Sequence, residues 1–362
     1  MPKMPRPAKR RVIRAATLAD VGREAGVSAM AASAVLNGAR TSSRISTETR
    51  ERILAAAKKL RYRPNAAARA LAERKMNTLG VAALFDESGE LNHYFLEVFN
   101  GVIEAAAHHN QNTTVFTLHD WEQDFGRLNG FCDGRIDGLI LIGPIISRET
   151  AKHLPEHTPF VALHANVPIP GVLNIESDEE AGAYQIVRHM IELGHRRILH
   201  LAGLSGLLGA ERRLNGYRRA LAEAGIPFSS SLVVEAGFGS AVAKRAIATW
   251  LKKNRKEPLP DAVFCATDLA AVGCLEALAE AGLRVPDDIS VTGFDDTLAA
   301  RTTVPQLTTV RQPLRAMGIK AVECLLARIQ QHQGKADHTE PKPLVFPVEL
   351  VVRGSVCDLR KK

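Results

Sequence analysis

Three kinds of place along this 362-residue chain have residue types and spacings suited to chemistry. The run Gly203 to Gly206, GLSG, approaches the G-x-S-x-G elbow that presents a serine nucleophile, but it is one position short, and no Asp and His partners follow from the chain order. Extended to GLSGLLG, it also lacks the G-x-G-x-x-G spacing that seats a dinucleotide. His108 and His109 are adjacent, without metal-ligand spacing or nearby carboxylates, and Cys132, Cys265, Cys274, Cys324 and Cys357 include no C-x-x-C pair. No catalytic residue, metal or cofactor is therefore expected, and the cysteines read as reduced core thiols. What remains is binding chemistry. Polar residues stand at the ends of apolar runs (Asp86, His164, Thr267 with Asp268, and Asp295), and the front of the chain is densely basic.

The charge is unevenly spread. Residues 1–77 hold 18 Lys and Arg against 5 Asp and Glu, whereas the rest holds 29 against 34, for a formal net charge of +8. A polycation joined to a mildly acidic body fits a nucleic-acid partner, provided the basic part is folded. Hydrophobic residues at 46% and charged residues at 24% are globular values, so wholesale disorder is excluded. The apolar run Gly138 to Ile146 is interrupted by Pro144 and falls well short of the ~20 residues a bilayer span needs. The basic, Pro-rich start has no apolar h-region, so a cytoplasmic location is expected.

These residues need elements to position them. Thr17-Leu-Ala-Asp20 is a capping-box signal, Leu18, Val21 and Ala25 share one helical face, and Gly26 ends the helix. Ser28 caps a second helix, Ala29 to Leu36, with Ala32, Val35 and Leu36 inward and Asn37-Gly38 as its stop. A third, about Glu48 to Leu60, is expected to turn Ile53, Leu54, Ala57 and Leu60 to the same core and to leave Arg50, Arg52, Lys58 and Lys59 outside. Two short helices separated by a tight turn form a helix-turn-helix, whose second helix enters the major groove. After Pro64, Asn65 can cap a short Ala-rich helix that needs a partner to form. From Leu79 onward LGVAALF, TTVFTL, GLILI, PFVAL, RILHLA, LVVEA, DAVFCA and ISVTGF alternate with amphipathic helical runs. That alternation predicts an α/β body of parallel sheets with helices on both faces, in two lobes that divide near Asn174. In such sheets ligands bind beyond the carboxyl ends of the strands.

The stretches ATLADVGREAGVSAMAASAVLNG and ISTETRERILAAAKKLRYRPNAAARALAERKMNTLGVA resemble the head and hinge of the LacI/GalR family of bacterial transcription regulators. The resemblance continues in GRIDGLIL, IELGHRRILHLAG, ERRLNGYRRALAEAGI, GLRVPDDISVTGFDD, PQLTTVRQP and VELVVRGS, so it covers nearly the whole chain. It implies a basic arm (1–15), a three-helix head (16–64), a hinge helix (65–77) and an effector-binding, dimerising body (78–362). The body's lobes are expected at 78–173 plus 306–335 and at 174–305 plus 336–355, like a periplasmic binding protein. The implied function is a sequence-specific repressor, a homodimer on double-stranded operator DNA, whose affinity a sugar or related metabolite controls allosterically. A sugar-binding module without a DNA role is the alternative.

Site residues follow from the resemblance position by position. Ser28, Ala29, Met30, Ser33, Ala34 and Asn37 fall on or beside the base-reading helix; the family usually has an Arg where this chain has Ala34, which shifts the expected readout toward apolar contact with thymine methyl groups. Arg40 and Arg44, in a loop longer than in the family's lac repressor, and Ser33, Ser46 and Thr49 are expected at phosphates. In the hinge, Asn65, Ala68 and Leu71 are expected at the minor groove, with Leu71 as the apolar wedge between base pairs. For the effector, Arg213 and Asp295 match the Arg and acidic residue that hold polar groups, and Phe238 stands where the lac repressor has a stacking Trp. His164 and Thr267 stand where Asp and Asn are common, Tyr94 and Phe95 match an aromatic pair at the mouth of the first lobe, and Asp268 is either a contact or a helix cap. No heptads trail VELVVRGS, so a tetramer is not expected.

Overall fold

The computed structural model describes residues 15–37, 45–63, 75–84, 92–332 and 341–361. The contacts divide the chain into two units, 1–76 and 77–362. In the first unit the Thr17 box forms as the sequence dictates: the Thr17 amide donates to Asp20 Oδ2 at 2.9 Å and the Asp20 amide to Thr17 Oγ1 at 3.3 Å. It starts α1 (Leu18–Ala25), which Gly26 ends at φ 68°, a left-handed cap that costs glycine nothing. After the turn come α2 (Ala29–Asn37), with the Ser28 hydroxyl accepting from the Ala31 amide, and α3 (Thr47–Lys59), capped by Ser46. Val21, Ala25, Ala32, Val35, Ile53, Ala56 and Ala57 form the core. One expectation fails here: Leu54 is 50% exposed and Ala56 is buried in its place. Ile53, Ala56, Ala57 and Leu60 complete the i, i+3, i+4, i+7 stripe, from which position 54 falls off.

The second unit runs β1 (Thr78–Leu84), α4 (His93–His108), β2 (Asn112–Leu118), α5 (Phe125–Phe131), β3 (Gly138–Ile142), α6 (Arg148–Ala151), β4 (Phe160–Leu163) and β5 (Leu173–Ser177). There follow α7 (Glu179–Glu192), β6 (Ile198–Ala202), α8 (Leu208–Glu223), β7 (Val233–Glu235), α9 (Ser240–Lys253), β8 (Ala262–Cys265), α10 (Asp268–Glu280), β9 (Ser290–Thr292) and α11 (Leu298–Thr302). The last elements are β10 (Thr309–Arg311), α12 (Leu314–His332), β11 (Leu344–Phe346) and β12 (Glu349–Val351). One sheet has the order β11-β5-β4-β3-β1-β2 and another β7-β6-β8-β9, both parallel, and β10 pairs antiparallel with β12. Leu139, Ile140 and Leu141 are fully buried on β3, the continuous apolar run expected of a strand covered on both faces.

The lobes divide differently from the expectation. Strand β5 pairs with β4 inside the first sheet, so the chain leaves that lobe after Ser177, three residues beyond Asn174. Val310 and Leu350, on β10 and β12, pack in the second lobe, whereas α12 and β11 pack in the first. Residues 306–311 and 344–346 therefore exchange lobes relative to the sequence reading. The described crossings lie at 177–178, around Gln312, and between β11 and β12. Strands β5, β10, β11 and β12, which set these crossings, are not among the eight runs expected from the sequence. Glycine lets helices close: a Cβ on Gly101 of α4 would lie 2.0 Å from the Arg315 carbonyl oxygen of α12, and one on Gly318 would lie 2.1 Å from that of Val98.

Candidate functional site

A cavity of about 310 Å³ opens between the two lobes of the body, beyond the carboxyl ends of both sheets. Tyr94, Phe95, His164, Arg213, Phe238, Thr267 and Asp295, seven of the eight effector residues expected from sequence, line it. They come from the start of α4, the end of β4, α8, the loop before α9, and the turns after β8 and β9. His164 at φ 48° and Asp295 at φ 119° hold conformations that L residues rarely adopt, a local strain seen mostly at functional sites.

Arg213 is the centre of the charge network. Its guanidinium donates to Glu179 Oε1 at 2.7 Å and to the Ala266 carbonyl, and lies 4.1 Å from the Phe294 ring centre and 5.9 Å from that of Phe238. Burial pushes the Glu179 carboxyl upward, but the guanidiniums of Arg213 and Arg212 hold it below its ordinary value, so it stays ionised. Arg212 donates to Glu176 Oε1 at 2.9 Å and approaches Glu179 Oε2 at 3.7 Å. Glu176, Glu179 and Arg212 were missed from sequence. The signal available was an Arg-Arg pair on α8 and acids at the start of α7, a pattern that solvated helix faces also show.

His164 joins Tyr94 and Ser177: its Nδ1 lies 2.5 Å from the Tyr94 oxygen, and its Nε2 accepts from the Ser177 amide at 3.2 Å. Burial lowers the His164 pKa and, with Glu179 and Asp295 adding to it, raises that of Tyr94, so both rings are neutral. Asp295 accepts from Gln312 Nε2 at 2.6 Å, and burial lifts its pKa to about 7 against the pull of Arg213.

Asp268 is the exception among the expected contacts, because it is fully buried and does not line the cavity. Thr267 is the cap, accepting from the Ala270 amide at 3.0 Å, while its own hydroxyl donates to the Phe238 carbonyl. The Asp268 carboxylate instead accepts from the Thr297 amide at 2.7 Å and the Thr309 hydroxyl at 2.6 Å, tying α10 to the loop after β9 and to β10. The GLSG run also has a packing reason: a Cβ on Gly203 would lie 2.5 Å from the Phe238 ring.

On the head, Ala29 and Met30 are exposed, Met30 at 78%, and Ser33 is half-buried. Ala34 is only 7% exposed, so it does not belong to the outward face where the sequence reading put it. On a helix starting at Ala29 it lies one residue past Ser33 and turns about 100° away from the reading face. Ser28 caps α2, and the Ser46 hydroxyl accepts from the Thr49 amide at 3.2 Å at the start of α3. Arg40, Arg44, Asn65, Ala68, Leu71, the Asn37 side chain, Asp86 and the basic arm lie outside the described residues. Among the described residues no helix is long and apolar enough to cross a membrane.

A helix-turn-helix unit followed by a two-lobed body with a polar cavity defines a ligand-responsive DNA-binding regulator. The comparisons agree: residues 17–65 match the model of bacterial regulatory proteins of the lacI family, and 187–356 match a periplasmic binding protein-like domain. The HTH-type transcriptional repressor PurR of Photobacterium profundum is 32% identical over 351 residues, 95% of this chain and 99% of that one. The lac repressor dimer bound to operator and the anti-inducer ONPF superposes with a TM-score of 0.79 at 28% identity, covering 95% of this chain and 100% of that one. The transcriptional regulator CelR in its cellobiose complex gives a TM-score of 0.69 at 31% identity, covering 94% and 99%. The chain belongs to the lacI family of bacterial regulatory proteins. It is a DNA-binding transcriptional repressor under small-molecule control and not an enzyme.

Proposed function

We propose that the interlobe cavity is the effector site, that the effector is a sugar or related metabolite, and that its binding shifts the lobe arrangement and thereby operator affinity. The observation that carries the reading is the convergence of seven separately expected residues on one cavity of about 310 Å³. Arg213 and Asp295 hold the ligand's polar groups, and Phe238 and Phe95 cover its apolar face. The protein acts in the cytoplasm as a homodimer, since one head reads only a half-site. Ala29, Met30 and Ser33 meet base edges. Ser46, Thr49, Arg40 and Arg44 meet phosphates, and the hinge with Asn65, Ala68 and Leu71 enters the minor groove.

The test is a thermal-shift series of the full chain with cellobiose, ribose and a purine base. A binder at 100 times its Kd stabilises by about 2.7 kcal/mol. No shift from a wide panel of sugars and metabolites would refute the effector site. A duplex selected by the protein should be lost steeply, by about 10³- to 10⁵-fold, between 50 and 200 mM salt. A flat salt response would refute the DNA contacts.

A further inference from the structure

We propose that Ser177 and Gln312 are positioning residues of the effector site: they join the two crossing segments and, through a hydrogen-bond relay, leave Tyr94 a donor toward the cavity and hold Asp295 by one oxygen, so that its other oxygen accepts from a ligand once ionised. The functional meaning rests on the effector reading above; the geometry stands without it.

The direction starts from one backbone group. The Ser177 amide points its hydrogen at His164 Nε2 from 3.2 Å, and the Ser177 hydroxyl, 3.1 Å from the same nitrogen, donates to Gln312 instead. Nε2 must therefore present its lone pair, and a neutral imidazole then carries its proton on Nδ1. That N–H faces the Tyr94 oxygen at 2.5 Å, so the phenol accepts from His164 and its own hydrogen is free to donate elsewhere. On the other arm, Gln312 Oε1 accepts from the Ser177 hydroxyl, which leaves Nε2 to donate to Asp295 Oδ1 at 2.6 Å.

Ser177 is the last residue of β5, and Gln312 lies between β10 and α12, so their bond ties two crossings together. Both are buried, at 1% and 4% exposure, where water does not replace a lost partner. The relay runs from Tyr94 in the first lobe to Asp295 in the second, behind the cavity that both residues line. A small molecule that accepts from Tyr94 and donates to Asp295 closes the ring from the front. Neighbouring donor and acceptor oxygens, as in a hydroxy-carbonyl compound or a vicinal diol, meet that demand, whereas a bare anion satisfies one end only.

The full chain with ¹⁵N-labelled histidine tests the relay directly. The His164 shifts should report protonated Nδ1 and bare Nε2, and the opposite tautomer overturns the proposal. In hydrogen exchange, Ser177→Ala and Gln312→Ala should each speed two amides by about tenfold, that of Gly182, bonded to the Asp178 carbonyl just past the first crossing, and that of Met317, bonded to the Pro313 carbonyl just past the second, and the double variant should do no more than one. Additive effects, or effects confined to the mutated crossing, overturn it. Ser177→Thr, which keeps the hydroxyl, should exchange as the unmodified chain does. Should an alanine variant fail to fold, Gln312→Met, which keeps the length of the side chain but removes both its acceptor and its donor, gives the same reading. A blank ligand screen beside a protonated Nδ1 would remove the effector site and leave the relay standing.

Discussion

The head and the body solve the placement of polar groups by opposite routes. In the head nearly every polar contact that shapes a helix is local, with Thr17 and Asp20, Ser28 and Ala31, and Ser46 and Thr49 each three residues apart. In the body the contacts that shape the cavity join distant segments: Arg213 and Glu179 are 34 residues apart, Thr309 and Asp268 are 41, and Ser177 and Gln312 are 135. Local contacts form as soon as the helix does. Distant ones exist only once the lobes are packed, and a change in one member of such a pair strands a buried partner. The head should therefore lose stability in small steps and the body in large ones.

The largest effect is expected at Arg213→Leu. Glu179 is 4% exposed, and removing its main partner leaves a buried charge compensated only by Arg212 at 3.7 Å, a loss on the order of 3 kcal/mol. Denaturant unfolding followed by two probes should show the body transition moving while the head's stays in place; a body that kept its midpoint would break the contrast.

Next comes the pH dependence of the body. Burial lifts Asp295 from an ordinary 3.8 to about 7, and Asp268 rises in the same direction. The folded state keeps the Asp295 proton where the unfolded chain has lost it, so its contribution is full below about pH 4 and is lost as pH rises through 7. From pH 5 to pH 8 the body should lose on the order of 3 kcal/mol. Asp295→Asn should flatten that slope, and an unchanged slope in calorimetric scans would count against the buried carboxyl.

Thr17→Ala removes the capping box and should cost the head about 1 kcal/mol, read as a lower head midpoint in urea with the body unaffected. Smallest in stability is Met30→Ala, expected within about 0.5 kcal/mol of the parent because the side chain is exposed. The same change should weaken binding to a selected duplex at a thymine position, and equal affinity for all duplexes would remove Met30 from the reading face.

The contrast also explains what was readable in advance. The three head helices, their caps and eight of the body's strands follow from caps and periodicity that lie within a dozen residues of one another. Strand β5 and the short strands β10, β11 and β12 are not among those eight, and they decide where the lobes exchange segments. Leu54 and Ala56 were confused because an Ala-rich helix gives two plausible stripes, and only the packing of α1 and α2 chooses between them.

For the site, strand-end position pointed to His164, Thr267 and Asp295, and the family resemblance supplied Tyr94, Phe95, Arg213 and Phe238. They could not say which polar groups the protein uses up on itself. Thr267 spends its hydroxyl on Phe238, Asp268 is buried at the start of α10, and Arg213 commits its two terminal nitrogens to Glu179 and Ala266, which leaves Nε for a ligand. The sequence alone determined a basic helix-turn-helix head before a ligand-binding α/β body, because caps, apolar stripes and charge are written in near neighbours. The tertiary structure decided what each cavity residue has left to offer, because a hydrogen bond or ion pair satisfied from across the fold is no longer available to a ligand.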